Sequence, residues 1–177
     1  MKNILVILFI FLVQISYSQK FVRPGKFTID KTEYFVKKID NVDLLMISVT
    51  NPPNIGINPQ FINEYPQDYV LALTKVNFNI DFNQLKLQFS NYESLKNKGE
   101  TIKIDYYIGV DDKLKLMYMY LNPGNEIYQS DLDNLHKTLL NQSVFKISSR
   151  YGLHKGLKYV EMTNTLFFNP NSKEIWR

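Results

Sequence analysis

The chain of 177 residues contains no cysteine. This absence excludes disulfide bonds and a thiol nucleophile, and it excludes a lipid anchor on a cysteine at the start of a processed chain. The folded state must therefore be held by side-chain packing and by hydrogen bonds.

The chain also lacks clusters of charged residues, and it contains only two histidines. The formal net charge of +4 is spread over short stretches without a basic block. Because phosphate binding needs clustered Lys and Arg, nucleic acid is not expected as a partner. The two histidines form no His-x-x-x-His pair, and no Asp-x-Asp-x-Asp-Gly loop is present. We therefore expect neither a metal site nor a cofactor.

The one long apolar run stands at the start of the chain. Lys2 precedes the unbroken run Ile4–Val13, and Ser16 and Ser18 form a small-x-small pattern before Gln19. This pattern is typical of a secretory signal peptide, 1–18, cleaved after Ser18. A retained anchor is the less favoured alternative, because ten helical residues cover only about half of a roughly 30 Å bilayer core. We expect a periplasmic or secreted protein without a stable membrane anchor.

Apolar and aromatic residues are plentiful: 45% of the chain is hydrophobic, with 12 Tyr, 12 Phe and 1 Trp. One globular unit with a substantial core is expected. Residues 19–68 are predicted to form an N-terminal hairpin and a connection, 51–68, that contains four of the seven prolines. Residues 69–177 are predicted to be the α+β portion of the same unit.

Alternation and turn residues predict two hairpins. One lies at 26–50, where a first strand that contains Phe27, Ile29 and Tyr34–Ile39 is joined through Asp40 and Asn41 to a second at 44–50. The clearer one joins strands 101–110 and 114–121. Two further strands are predicted at 144–148 and 159–168.

Apolar spacing of three and four residues predicts two helices. The first covers 81–97, with Asp81 as its N-cap and Gly99 beyond its end. The second covers 130–141, where Ser130 and Asp133 resemble a capping box. Its predicted buried stripe is Leu132, Leu135, Leu139 and Leu140.

These elements predict an α+β fold, in which an antiparallel sheet carries two helices packed on one face and is preceded by the N-terminal hairpin. The stretch 107–114 (YIGVDDKL), the helix at 130–141 and the strand at 159–168 resemble the C-terminal domain of TonB. More narrowly, residues 81–168 are similar to uncharacterised exported proteins of the Bacteroidota. This chain departs from the usual pattern of those proteins at two positions. Asp112 stands where their turn commonly has glycine, and Gly109 stands where they commonly have Asp. The resemblance implies the fold and not energy transduction, which would need an N-terminal anchor and a long Pro-rich spacer.

Four tyrosines in the second hairpin are the candidate binding residues: Tyr106, Tyr107, Tyr118 and Tyr120. Cross-strand rings on an exposed face could bind sugar or peptide, whereas rings on a covered face would be core. The residues Asp105, Asp111 and Asp112 are interpreted as a solvated turn, and Glu161 is expected to face water.

The histidines are the remaining candidates. His136 is expected to flank the apolar stripe of the second helix at the edge of the core. His154 lies in a loop between Gly152 and Gly156 and could titrate there. No Gly-x-Ser-x-Gly or comparable setting places a nucleophile beside it, so no catalytic residue is assigned.

The sequence therefore favours an exported, non-enzymatic module that recognises an envelope or secreted protein by a sheet edge or face, as TonB-like folds do by strand addition. The first alternative is a glycan- or lipid-associated binding protein that uses the Tyr-rich face. The second alternative is a hydrolase around His154.

Overall fold

The computed structural model describes residues 20–39, 42–49, 74–149, 157 and 159–171. Three predictions lie outside these ranges: the signal peptide at 1–18, the Pro-rich connection at 51–68, and the loop that contains His154. None of the helices among the described residues is both long and apolar enough to span a bilayer.

The predicted α+β class is confirmed, since the protein is built on a six-stranded antiparallel sheet in the order β1-β2-β3-β6-β5-β8. Its strands are β1 Gly25–Ile29, β2 Thr32–Ile39, β3 Leu44–Val49, β5 Thr101–Gly109, β6 Leu114–Leu121 and β8 Tyr159–Phe167. A second sheet pairs β4 Thr74–Phe78 with β7 Phe145–Ser149 in antiparallel register.

The described residues form three helices: α1 Phe82–Lys86, α2 Tyr92–Lys98 and α3 Gln129–Gln142. All three contribute leucines to one buried cluster, which they share with one face of the large sheet. The helices and this sheet face therefore enclose a single hydrophobic core.

The alternation of β5 explains why the core forms on that face. Ile102, Ile104, Tyr106 and Ile108 are all 0% exposed. The small sheet packs against the same face, because the Tyr106 ring lies 5.4 Å from that of Phe78 on β4. Full burial of each such side chain contributes roughly 1.5–3 kcal/mol.

The N-terminal region contains one strand more than predicted. Both predicted hairpins are present, but β1 and β2 also form a hairpin, with Asp30 and Lys31 between the paired residues Ile29 and Thr32. Asp30 and Lys31 have φ of 46° and 75°. Positive φ at both central residues is the geometry of a type I′ turn, whose usual Asn-Gly signature this sequence lacks.

The helix predicted at 81–97 is wrong as one element, because the chain leaves the helix after Lys86 and re-enters it at Tyr92. Its two ends are confirmed. The Asp81 carboxylate accepts a hydrogen bond of 2.8 Å from the Asn83 N–H, and Gly99 ends α2 with φ of 67°.

The predicted details of the third helix need three corrections. The helix begins at Gln129 after the N-cap residue Tyr128, so Ser130 is not the cap. Asp133 makes no capping box and bonds to Tyr34 instead. Leu140 is 49% exposed, because it lies off the buried stripe of the helix.

Candidate functional site

The four candidate tyrosines lie on two different faces of the sheet. Tyr106 is in the core, where it is 0% exposed. Tyr107, Tyr118 and Tyr120 lie on the opposite face, since β5 and β6 pair Lys103 with Tyr120 and Asp105 with Tyr118. We call this opposite surface the tyrosine face. Tyr106 is therefore a core residue and not part of a binding surface.

Tyr159 of β8 also belongs to the tyrosine face, although sequence analysis did not select it. Its ring centroid lies 5.3 Å from that of Tyr107, and the two rings meet at 72°. Tyr107 meets Tyr118 at 5.8 Å and 88°. Only the register of β8 against β5, which pairs Tyr159 with Gly109, reveals this neighbour.

The charged groups on the tyrosine face compensate one another. Asp105 is 5% exposed and accepts a hydrogen bond of 2.7 Å from the Thr163 hydroxyl. The Lys103 Nζ atom lies 3.5 Å from Asp105 Oδ1 and 5.1 Å from the centroid of the Tyr120 ring. A nearly buried carboxylate is tolerated when it is paired and hydrogen-bonded in this way.

The tyrosine hydroxyls act as hydrogen-bond donors rather than as bases. Burial raises the pKa of Tyr107, and the negative charges of Glu161 and Asp105 raise it further. Burial also raises the pKa of Tyr120, as do the charge of Asp105 and a hydrogen bond to it. The Tyr107 hydroxyl donates to Glu161 over 3.4 Å. The predicted water-facing position of Glu161 is confirmed.

These rings do not form a flat platform for a sugar. Stacking on a sugar requires open, roughly coplanar faces, whereas the rings of Tyr107, Tyr118 and Tyr159 meet edge to face. Tyr159 is also only 4% exposed. In addition, the described part of the chain contains no group of three or more His, Asp or Glu side chains that could hold a metal ion.

A second polar cluster links β2 to α3 and consists of Tyr34, Asp133 and His136. The Tyr34 hydroxyl donates to Asp133 Oδ1 over 2.7 Å, and the His136 Nδ1 atom lies 2.9 Å from the same hydroxyl. Lys137 completes the cluster, with its Nζ atom 2.7 Å from Asp133 Oδ2. Since the single hydroxyl proton is directed to Asp133, His136 Nδ1 carries the proton that it donates to Tyr34.

Burial explains the electrostatics of this cluster. It lowers the pKa of His136, and Lys137 acts in the same direction while Asp133 opposes the change. Burial raises the pKa of Tyr34, and Asp133 raises it further. Tyr34 is 0% and Asp133 2% exposed, so a substrate cannot reach the hydroxyl. The cluster links the N-terminal hairpin to α3 by hydrogen bonds. His136 flanks the apolar stripe of the helix, as predicted.

The two edges of the large sheet differ in chemistry. At one edge, β1 has five residues, follows Pro24, and carries Lys26 in an ion pair with Glu33. Short length, proline and lysine are the usual protections of an edge strand. At the other edge, β8 has nine residues, and all nine pair with β5 without a register shift. It contains no proline or lysine, and Glu161 is its one charged residue.

The β7 strand offers another edge, in the small sheet. Among the described residues it pairs with β4 alone. It has five residues and carries the exposed Lys146, so it is shorter and more protected than β8.

A cleft of about 290 Å³ lies at the C-terminal end of β8, between that strand and α1. Its walls include Phe82 and Lys86 from the helix and Leu166 and Phe167 from the strand. A second cleft, of about 230 Å³, adjoins Asn79 and Gln142. The first volume lies at the lower limit of the roughly 300–1,000 Å³ of sites that enclose a small-molecule ligand, and the second lies below it.

Comparison with solved structures finds a match to the crystal structure of a DUF5043 family protein from Bacteroides uniformis. The TM-score is 0.62 at 11% sequence identity, and the match covers 89% of this chain and 92% of the other. Neither a protein-family model nor a curated protein matches the sequence. The chain thus has an α+β fold like that of an uncharacterised family from the Bacteroidota, whereas a specifically TonB-like fold stays a prediction.

Proposed function

We propose that this protein is an exported, non-enzymatic interaction module that binds an envelope or secreted protein by accepting an extended segment of it along β8. Export rests on the signal-peptide pattern of Lys2, Ile4–Val13 and Ser16 to Ser18. Strand addition is also what the resemblance to the TonB C-terminal domain implies.

The edge of β8 between Val160 and Asn164 carries the proposal. No strand of the described residues pairs with its outer side, and its length, regular register and lack of lysine or proline leave it competent to pair. An added strand gains backbone hydrogen bonds along such an edge, and its alternate side chains supply specificity. Since proteins usually protect an edge of this kind, an unprotected one is expected to have a partner.

The sheet edge is favoured over the tyrosine face for a physical reason. On that face the Tyr107 hydroxyl already bonds to Glu161, and Asp105 already bonds to the hydroxyls of Tyr120 and Thr163. A sugar would have to compete with these internal bonds, and it would find no flat ring surface.

A pair of proline variants at adjacent positions tests the proposal. Neighbouring strand residues direct their N–H groups to opposite sides, so one of Glu161→Pro and Met162→Pro removes a bond to β5 and the other blocks only the outer edge. Urea unfolding identifies the variant that loses a bond to β5, because its free energy of unfolding falls by about 1 kcal/mol or more. The stable variant should lose the proteins that the wild type captures from the native envelope.

Glu161→Ala and Met162→Ala control for the lost side chains and should capture the same proteins as the wild type. Hydrogen exchange in the complex should slow at 160–164. Unchanged capture by the stable proline variant would contradict strand addition. So would unchanged amide hydrogen exchange at 160–164 in the complex. If a glycan array binds the protein while envelope capture yields nothing, the glycan alternative replaces this proposal.

A further inference from the structure

We propose that the cleft between α1 and the end of β8 selects the partner, by receiving an apolar side chain of the added strand while Lys86 binds a carboxylate beside it. The ligand is then an extended peptide with an acidic and an apolar residue at its N-terminal end, two positions apart so that both side chains point to the same side of the added strand. This inference rests on the strand addition proposed for β8.

The cleft is continuous with the proposed docking edge. Thr165, Leu166 and Phe167 line it, and they directly follow the segment 160–164 in the same strand. Five strand residues span about 16 Å at 3.3 Å per residue. A peptide that pairs along 160–164 therefore reaches the cleft with its next residues, and the residue opposite Leu166 points to the core side, on which α1 packs.

The walls of the cleft suit one apolar side chain. Phe82, Phe167 and Pro170 contribute apolar surface beside the polar Asn83 and Thr165, and about 290 Å³ lies at the lower limit for sites that enclose a small-molecule ligand. Phe82 is only partly buried and packs against the core cluster, so its remaining surface is available to a ligand side chain.

The charge beside the cleft is positive, and no described carboxylate forms an ion pair with it. Four lysines of the described residues are partly buried: Lys86, Lys96, Lys103 and Lys137. Three of them lie within 4 Å of a carboxylate, at 3.7 Å for Lys96, 3.5 Å for Lys103 and 2.7 Å for Lys137. Lys86 forms no ion pair with any described carboxylate. An ammonium group at the rim of a cleft that is lined by both apolar and polar side chains is complementary to a ligand carboxylate.

The direction of the peptide follows from sheet energetics. Antiparallel pairs are slightly more stable than parallel ones and outnumber them. A strand antiparallel to β8 begins where β8 ends, which places the N-terminal residues of the peptide at the cleft. The carboxylate is therefore that of an Asp or Glu side chain rather than a free C-terminus.

Three peptides that carry a fluorophore on the C-terminal amide test this inference on the processed protein. The first is acetyl-Asp-Thr-Phe-Thr-Thr-Val-Thr-Val-Thr-amide, the second replaces its Asp by Lys, and the third replaces its Phe by Ser. Fluorescence anisotropy should show that the first binds about tenfold more tightly than either of the others. The variant Lys86→Glu should reverse the preference between the first and the second peptide.

Lys146→Glu is the matched control, because Lys146 is exposed on β7 and also lacks an ion pair to a described carboxylate. It should leave all three affinities unchanged. Equal affinity for the Asp and Lys peptides, or a preference that Lys86→Glu does not alter, overturns the inference. The inference is also overturned if the wild-type protein binds neither the Asp peptide nor the Lys peptide. The strand-addition proposal is judged separately, by the proline variants, which do not depend on these peptides.

Discussion

Tyr34, Asp133 and His136 show how individual residues acquire roles that their sequence neighbours do not suggest. The Tyr34–Asp133 bond of 2.7 Å joins residues 99 positions apart. The sequence predicts a capping role for Asp133 because Ser130 precedes it by three residues. In the folded protein the buried Tyr34 hydroxyl is the partner, and a buried carboxylate needs that donor more than a partly exposed helix end needs a cap.

At the residue scale, His136 is expected to make stability fall with acid. Burial lowers its pKa in the folded protein below the ordinary value of 6.5. The unfolded chain therefore binds the proton first as the pH falls below about 6.5, and unfolding becomes easier. The free energy of unfolding, from urea titrations at several pH values, should decrease by up to about 1.4 kcal/mol per pH unit.

The variant His136→Gln cannot take up this proton. Its stability should be lower than that of the wild type near neutral pH but should depend less on pH between about 5 and 6.5. A variant with the full slope of the wild type would show that another group is responsible.

At the scale of elements, the break between α1 and α2 has a tertiary cause. Asp131 of α3 accepts hydrogen bonds from the N–H and the hydroxyl of Ser90, at 2.9 and 2.8 Å. The turn also places Phe89 against Phe168, with ring centroids 4.8 Å apart. The apolar spacing at 81–97 therefore correctly predicted which side chains are buried, but the prediction of one continuous helix was wrong. Hydrogen bonds from a distant helix stabilise the turn that interrupts it.

Gly99, at the end of α2, provides a prediction at this scale. Its φ of 67° is left-handed, which costs a residue with a Cβ atom roughly 1–2 kcal/mol. We expect Gly99→Ala to lower the free energy of unfolding by about 1 kcal/mol, as measured by urea unfolding.

Gly124→Ala is the matched control, since an added Cβ there meets no atom within 4 Å and Gly124 is not among the glycines with positive φ. It should leave stability unchanged or raise it slightly. Equal effects of the two substitutions would contradict a conformational role for Gly99.

At the scale of the whole molecule, one hydrophobic core that includes buried tyrosines stabilises the fold in the absence of disulfide bonds. Tyr34 and Tyr106 are both 0% exposed and belong to the same cluster as the helix leucines. Burial raises the pKa of Tyr34, Tyr106, Tyr107, Tyr120 and Tyr159 above the ordinary value of 10.

The protein should therefore lose stability in alkali. Above about pH 10 the unfolded chain releases tyrosine protons that the folded protein keeps, so the free energy of unfolding falls as the pH rises. In the processed protein, which keeps 11 of the 12 tyrosines because Tyr17 lies in the predicted signal peptide, ultraviolet titration should show only some tyrosines ionising near pH 10. The others should ionise only on unfolding. Ionisation of all 11 in one step, in protein still folded by circular dichroism, would contradict this expectation.

Local patterns in the sequence determined the fold class, the two hairpins and the ends of the helical region, because alternation, turn residues and caps act between neighbours. Only the tertiary structure decided which tyrosines lie in the core, that Tyr159 joins the other three, and that Asp131 and Asp133 bond to distant residues. Strand order likewise made β8 an edge and set α1 beside its end. These features depend on register and packing between segments far apart in the chain, which no local pattern encodes.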